Sequence, residues 1–239
     1  MSFGFAGFAF ALFASAGLAL AWPPAIVVPT VMLVADTLTL PLLWEHRRYL
    51  RRDLLRESPP FAPWSPALLL LGVMAGALLL GRVSPAVARL GLASVILAFV
   101  TTQVKRSELP GASPGSGAWP GRVAALAAGF LDGWISTGGV VIAVYLTWRR
   151  MAPGLFVAAI LVYFLSTDAI RVVIYALFGY WTSAVFTLYR AVLPMALLGY
   201  LGGVVLRRSM LPPGAFRGVV LALLTVYALA LLARVLLAP

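Results

Sequence analysis

Four ionisable side chains lie inside long apolar runs of this 239-residue sequence: Asp36, Asp132, Asp168 and Arg171. Ionisable groups at membrane depth cost at least ~2.5 kcal/mol each, so they normally face the interior of a helix bundle and are functional. Asp168 and Arg171 are three residues apart, which places them on one helix face where they can pair. We expect Arg171 to bind an oxyanion through its planar fork of donors. A structural ion pair that neutralises itself is the alternative.

A polar run interrupts the apolar segment that contains Asp132. Ser136, Thr137, Gly138 and Gly139 stand about one turn after this aspartate. Consecutive glycines allow backbone angles that are closed to other residues, so this run predicts a break in the helix. The inner end of a broken helix has unpaired amide groups and a positive dipole, which favour a small anion. Close helix packing through small residues is the alternative role.

The three aspartates raise a question of charge, because three ionised carboxylates would repel an anion that is held by a single arginine. Burial favours the protonated form of a carboxyl group. We therefore hypothesise that one of Asp36, Asp132 or Asp168 exchanges protons and couples anion movement to a proton gradient. A capping or hydrogen-bonding role would account equally well for each acid.

The composition indicates that a membrane surrounds these residues. Hydrophobic residues make up 62% of the sequence and charged residues 10%, and the mean hydropathy is +1.01. Several apolar runs of about 20 residues are each long enough to span ~30 Å of hydrocarbon. Most basic residues lie in short loops, where they set membrane orientation, so the net charge of +11 does not indicate nucleic-acid binding. With no cysteine and one histidine, the sequence predicts no metal site and no cofactor.

The order of the apolar segments suggests an internal repeat. Eight segments can be marked, at residues 3–22, 24–44, 66–80, 85–103, 123–148, 153–178, 183–206 and 215–237. Five landmarks recur at offsets of 127 to 129 residues: Gly72 with Gly199, Gly76 with Gly203, Pro85 with Pro213, Arg89 with Arg217, and Pro24 with Pro153. We therefore divide the chain into a first transmembrane repeat (1–107), a Gly/Pro/Ser linker (108–121) and a second transmembrane repeat (122–239).

The distribution of basic residues predicts the topology. If segment 123–148 dips into the membrane and returns, most basic loop residues of both halves share the cytoplasmic side, and Arg82 and Arg234 are left outside. The predicted fold is an all-α polytopic membrane protein of two inverted repeats, each with one re-entrant or broken segment and three transmembrane helices. The alternative is eight full transmembrane helices, with 123–148 as one long tilted helix.

Three stretches carry a resemblance to a known family. They are "PPAIVVPTVMLVADTLTLPLLWEHRRYLRRDLL" at 23–55, "GFLDGWISTGGVVIAVYL" at 129–146 and "LLGYLGGVVLRRSMLPPGAFRGVVLALL" at 197–224. In their order and spacing they resemble the first-half stretch, the second-half signature and the closing segment of the TauE/SafE sulfite exporter family. The resemblance implies a polytopic inner-membrane permease for small anions, with sulfite and sulfonates among the proposed substrates.

The sequence departs from this family's pattern in three places. Val140 and Val141 follow the Gly-Gly turn where Pro-Pro is common, and Asp168 stands where an asparagine often precedes the arginine. The third departure is at the start, where "FGFAG" at 3–7 resembles the tip of a first hairpin without its leading arm. We expect Gly4 and Gly7 in this tip to bind substrate together with the second tip and Arg171.

The buried polar residues predict a secondary transporter of a small anion, and the resemblance implies that it lies in the bacterial inner membrane and exports sulfite, a sulfonate or another small sulfur oxyanion. Its expected partners are that anion and the lipid bilayer, with a homodimer left open. A non-transporting accessory or assembly protein is the alternative. A membrane-embedded enzyme is disfavoured, because the only histidine, His46, lies in a loop, the only lysine, Lys105, lies near an interface, and the acids lie on separate segments.

Overall fold

The computed structural model describes residues 14–46, 65–104, 119–149, 153–209 and 213–237, and all regular structure within these ranges is helical. The first helix, α1, covers the described residues 14–21. The helices that follow are α2 (Pro24–His46), α3 (Ser65–Leu80), α4 (Pro85–Val104), α5 (Trp119–Ile135), α6 (Gly139–Trp148), α7 (Pro153–Leu177), α8 (Ser183–Ser209) and α9 (Pro213–Leu237). The predicted all-α class is thus confirmed for the described ranges, and Gly4 and Gly7 lie outside them.

The described helices have the apolar surfaces of a membrane protein. By length and hydropathy, two of them could cross a membrane, Pro85–Val104 and Leu155–Leu177. Shorter apolar helices cover Pro24–Leu40, Ser65–Leu80, Gly139–Trp148, Ser183–Gly199 and Leu221–Leu237. Large apolar side chains also point outward, among them Leu177 at 78% exposure and Leu198 at 70%. Apolar surface of this extent suits contact with lipid better than contact with water.

The chain reverses direction between α5 and α6. α5 ends at Ile135 and α6 begins at Gly139, and Ser136 between them has a φ of 58°. Trp119 at the start of α5 and Trp148 at the end of α6 line one apolar groove, so the two arms are antiparallel. The predicted break is confirmed. The alternative of one continuous helix over 123–148 is wrong, because a residue in the left-handed region cannot continue an α-helix.

Glycines bring α5 into backbone contact with α3. Gly72 and Gly76 on α3 lie against Gly129 and Gly133 on α5. A Cβ added to Gly76 would lie 2.8 Å from the backbone nitrogen of Trp134, closer than any side-chain atom can approach without displacement. This arrangement of small residues four apart on both helices is the one that lets membrane helices pack most closely.

The other helices connect the two halves of the chain. α2 contacts α7 and α8, α3 contacts α7, and α4 contacts α9. α1 is attached to the start of α4, where Nε of Arg89 donates a hydrogen bond to the carbonyl oxygen of Ala19 at 2.9 Å. The turn between α5 and α6 lies against α7, inside the bundle that these contacts form.

Candidate functional site

The tip of the α5–α6 hairpin consists of Ser136, Thr137 and Gly138. The amide of Ser136 donates to the carbonyl oxygen of Asp132 at 3.3 Å, and the amide of Thr137 donates to that of Leu131 at 3.4 Å. These distances exceed the usual N–H···O range, so the last turn of α5 is held by weak bonds. Ser136 is 6% exposed and Thr137 is 2% exposed. The tip is therefore enclosed by protein.

The carboxylate of Asp132 binds this tip. Its Oδ1 accepts a hydrogen bond from the amide of Gly138 at 2.6 Å, and its Oδ2 accepts one from the hydroxyl of Tyr163 on α7 at 2.6 Å. Both oxygens of a buried carboxylate thus have donors, as buried polar groups require. The expectation that the tip offers free amide groups is wrong at Gly138, because the aspartate accepts its N–H.

Gly138 is the position at which the tip tolerates no side chain. A Cβ there would lie 2.6 Å from the carboxyl carbon of Asp132 and 2.6 Å from the hydroxyl oxygen of Tyr163. It would also overlap the carbonyl oxygen of Ala128. Glycine at this position therefore leaves the space through which the carboxylate reaches the backbone.

Arg171 on α7 connects the tip to a second carboxyl group. Its Nη1 donates to Oδ1 of Asp168 at 2.8 Å, which confirms the predicted ion pair. Its Nη2 donates to Oγ of Ser136, and its Nε donates to the hydroxyl of Tyr175 at 3.3 Å. Arg171 is 3% exposed. The guanidinium is therefore a buried cation that contacts the break in the hairpin.

Two tyrosines belong to this network that the sequence analysis did not identify. Tyr163 and Tyr175 are both fully buried. The hydroxyl of Tyr175 donates to the carbonyl oxygen of Gly133 at 2.9 Å while it accepts from Arg171. Together with Thr167 and Arg171, the two tyrosines occupy positions 163, 167, 171 and 175, and this spacing of four places the four side chains in one polar stripe along α7. The same spacing in an apolar helix is the sequence signal that could have found them.

Asp36 reaches the network from α2. Its carboxyl group lies beside that of Asp168, close enough for a side-chain hydrogen bond between the two. Two carboxyl groups can share a hydrogen bond only when one of them carries a proton, since an ionised carboxylate has no donor. Asp168 is 5% exposed, whereas Asp36 is only half-buried. The carboxyl pair thus joins the interior of the site to a less enclosed position.

Thr137 supplies an unused polar atom at the tip. Its Oγ1 is buried and has no hydrogen-bond partner in the part of the chain that the structure describes. A buried hydroxyl without a partner is unfavourable by roughly 1–3 kcal/mol, and a ligand that bonded it would recover this free energy. Thr137 is therefore free to contact a ligand, unlike Ser136, which already bonds Arg171.

The predicted site residues within the described ranges gather around the hairpin tip. They are Asp36, Asp132, Ser136, Thr137, Gly138, Gly139, Asp168 and Arg171. The cluster combines one permanent cation with three carboxyl groups and several hydroxyl groups. Such a cluster can bind an anion at the Arg171 guanidinium only if a carboxyl group moves away from it or becomes neutral.

One protein-family model matches nearly the whole chain. The sequence matches the family model described as Sulfite exporter TauE/SafE over residues 1–231 of 239. No curated protein and no solved structure matches the chain. The match covers nearly the full length and includes the hairpin, the carboxyl pair and Arg171. The chain therefore belongs to the TauE/SafE sulfite exporter family of membrane transporters.

Proposed function

We propose that this protein is a multi-pass transporter of the bacterial inner membrane that exports a small sulfur-containing anion, either sulfite or a sulfonate. The observation that carries the proposal is the contact between Arg171 and Ser136, which places a buried guanidinium at the break in the hairpin. A guanidinium presents planar pairs of N–H donors that suit the oxygens of a sulfite or sulfonate group. The hydroxyl of Thr137 supplies a further donor at the same tip.

The shape of the hairpin supports a re-entrant topology. Trp119 and Trp148 line the same groove, so Arg122 and Arg149, which neighbour them in sequence, lie at one end of the hairpin. Basic residues at that end agree with a hairpin that enters from the cytoplasmic side and returns to it. The irregular backbone of the tip is enclosed by protein, which is the condition for such backbone at membrane depth.

The helix contacts support two inverted repeats. Under the sequence offset, α2 corresponds to α7, α3 to α8 and α4 to α9. Under this correspondence, the contact between α2 and α8 is equivalent to the contact between α7 and α3. The other two contacts, α2 with α7 and α4 with α9, each join a helix to its equivalent in the other repeat. A two-fold axis between the repeats would produce this set of contacts. Inverted repeats that meet at a broken helix are a recurrent transporter architecture.

The proposal requires the site to open during transport. Ser136, Asp168 and Arg171 are each at most 6% exposed, so a solute reaches them only after neighbouring helices move. Alternating access achieves this by moving one bundle of helices against another around a fixed site. Proton coupling belongs to the same proposal, because Asp36, Asp132 and Asp168 all lie within the network of Arg171.

The test is efflux from proteoliposomes that are loaded with sulfite, sulfate, thiosulfate, taurine or sulfoacetate. Wild-type protein should release at least one of these solutes faster than protein-free liposomes do. Arg171→Ala should abolish release, and Arg171→Lys should lower it by at least about tenfold, because an ammonium group lacks the planar fork of donors.

The matched control for efflux is Ser166→Ala on the same helix. Oγ of Ser166 donates to the carbonyl oxygen of Val162 within α7 at 2.8 Å, so this variant should release anion at the wild-type rate. Normal release by a folded Arg171→Ala protein would remove Arg171 from the site. If the wild-type protein releases none of the five solutes, the proposed transport function is wrong.

A further inference from the structure

Arg171 is already paired with the Asp168 carboxylate, which occupies the position where an incoming anion would bind the guanidinium. Nη1 bonds the Asp168 carboxylate at 2.8 Å, and both side chains are buried. The Asp168 carboxylate therefore neutralises the guanidinium. A second anion beside the same guanidinium would leave an excess negative charge in an interior of low dielectric constant, which is strongly unfavourable.

The adjacent carboxyl groups of Asp36 and Asp168 offer a way to remove that excess charge. Two carboxyl groups this close repel each other when both are ionised, so they share one proton and the pair carries one negative charge. If the pair takes up a second proton, both groups become neutral. Asp168 then no longer binds Arg171 as a counter-ion, and the guanidinium becomes available to another anion.

The other ionisable groups near the pair each have hydrogen-bond partners of their own. They are Arg171, Tyr163 and Tyr175 on α7, Asp132 on α5, and Tyr189 on α8, while α3 contains no ionisable residue. Asp132 has both its oxygens bonded, by Gly138 and Tyr163. The hydroxyl of Tyr189 bonds Thr37 at 3.0 Å. Within the described residues, the Asp36–Asp168 pair is thus the acidic group that both holds a shared proton and contacts Arg171.

We infer that Asp168 is an internal counter-anion of Arg171 that the transported anion replaces, and that the Asp36–Asp168 pair takes up one proton when the replacement occurs. The inference rests on the proposed transport function. Before the exchange, the pair holds one proton and Arg171 bonds Asp168. After it, both carboxyl groups are protonated, the second proton having come from solution, and Arg171 bonds the anion.

Two consequences follow from the charge balance. For a monovalent anion, the site has the same net charge before and after the exchange, so the anion and one proton bind together. Asp36 is the less enclosed member of the pair, so the proton enters through its carboxyl group. Asp132, which keeps its bonds to the tip in both states, positions the tip and does not exchange a proton.

The experiment measures binding of methanesulfonate, a monoanion whose charge is constant between about pH 5 and pH 8, to the full-length protein in nanodiscs. Titration calorimetry should show the wild-type Kd falling by up to about tenfold for each unit of pH decrease. A pH indicator in weak buffer should show proton uptake that approaches one per bound anion. Asp168→Asn should bind more tightly than wild type at the high end of this range, with a Kd independent of pH and no proton uptake.

The matched control is Asp132→Asn, which makes the same change of charge at a carboxylate that bonds the tip. It should weaken binding but keep the dependence of Kd on pH, while Ser166→Ala should keep both the wild-type Kd and its pH dependence. A wild-type protein that binds methanesulfonate without proton uptake overturns the inference, whether or not Asp168→Asn folds. Equal pH dependence in Asp168→Asn and wild type also overturns it.

The efflux assay separates this inference from the function on which it rests. If binding is independent of pH while the wild-type protein still releases sulfite from liposomes, the proton exchange is wrong and the transport function stands. If the wild-type protein shows neither binding at any pH nor efflux of any solute, both are wrong.

Discussion

Oδ1 of Asp132 lies 2.6 Å from the amide nitrogen of Gly138, six residues later in the chain. This bond spans the break between α5 and α6. A buried backbone amide needs an acceptor, and at this break the helix itself supplies none to Gly138. The carboxylate therefore stands about one turn before the break because it satisfies the amide that the break leaves open, while the Tyr163 hydroxyl bonds its other oxygen.

Replacement of Tyr163 by phenylalanine tests this support of the tip. The change removes the donor to Oδ2 of Asp132 and leaves one oxygen of a buried carboxylate without a partner. We expect Tyr163→Phe to lower stability by about 1–3 kcal/mol and to lower the midpoint of thermal unfolding in detergent, followed by tryptophan fluorescence. Tyr145→Phe, which removes a hydroxyl from the groove between the hairpin arms, should leave the midpoint near the wild-type value. Equal midpoints for Tyr163→Phe and wild type would contradict the role assigned to this bond.

An alanine at Gly138 should disrupt the tip directly. Its Cβ would meet the carboxyl carbon of Asp132 and the Tyr163 hydroxyl, each at 2.6 Å, so the carboxylate must move away from the backbone. We expect Gly138→Ala to cost about 1–3 kcal/mol through overpacking and to reduce anion efflux strongly. We would measure the yield of monodisperse protein in size-exclusion chromatography and the rate of anion efflux. Wild-type values for both would show that the tip accommodates the alanine side chain without loss of stability or activity.

The two repeats should respond differently to alanine at a glycine of α3 and at a glycine of α8, two helices that the sequence offset relates. Gly76→Ala places a Cβ 2.8 Å from the backbone nitrogen of Trp134, whereas a Cβ at Gly199 has no atom within 4 Å. We expect Gly76→Ala to lower the thermal midpoint markedly. Gly199→Ala should leave the midpoint unchanged or raise it slightly, because alanine favours helix over glycine by about 1 kcal/mol. Similar midpoints for the two variants would show that α3 and α5 are not held by close glycine packing.

Two substitutions at Ser136 separate backbone strain from the contact with Arg171. Both Ser136→Gly and Ser136→Ala remove the hydroxyl that accepts from Nη2, so both should reduce anion efflux to a similar extent. Only glycine adopts the observed φ of 58° without steric cost, so Ser136→Gly should be more stable than Ser136→Ala by about 1 kcal/mol. Thermal midpoints and efflux rates measure the two effects independently. If Ser136→Ala proved the more stable variant, the left-handed conformation would not be a source of strain.

Those parts of the site that depend on local spacing could be predicted from the sequence. Asp168 and Arg171 pair because a separation of three residues puts them on one helix face, and that is independent of the rest of the fold. The break at Ser136–Gly139 was predicted from the backbone freedom of glycine. Its position is correct but the reason is not, because the left-handed residue is Ser136, while Gly138 has helical angles and leaves space for the Asp132 carboxylate. The helical class followed from composition.

The remaining contacts depend on which helices lie side by side, and a single sequence does not state this. Tyr163 bonds Asp132 across 31 residues, and Tyr175 bonds Gly133 across 42. Each tyrosine is an ordinary member of an apolar helix until α7 is placed against the hairpin. The bond from Asp132 to the tip depends on the detailed geometry of the break, which the sequence does not state, so proton exchange was an equal candidate for this acid. Gly4 and Gly7 lie outside the described residues, so their predicted part in substrate binding stays a prediction.

The glycine contact between α3 and α5 constrains how this protein can move. Backbones that touch without intervening side chains cannot slide or tilt past each other without separating, so any displacement that carries α5 must carry α3 as well. The short arm α6 has no such attachment to α3. In the proposed transport cycle, α3 and α5 would move as one block that holds Asp132, and α7 lies across the tip from it. A gate at this site would therefore open by breaking the contacts of α7 with the hairpin, which are those of Arg171 with Ser136 and of Tyr163 with Asp132.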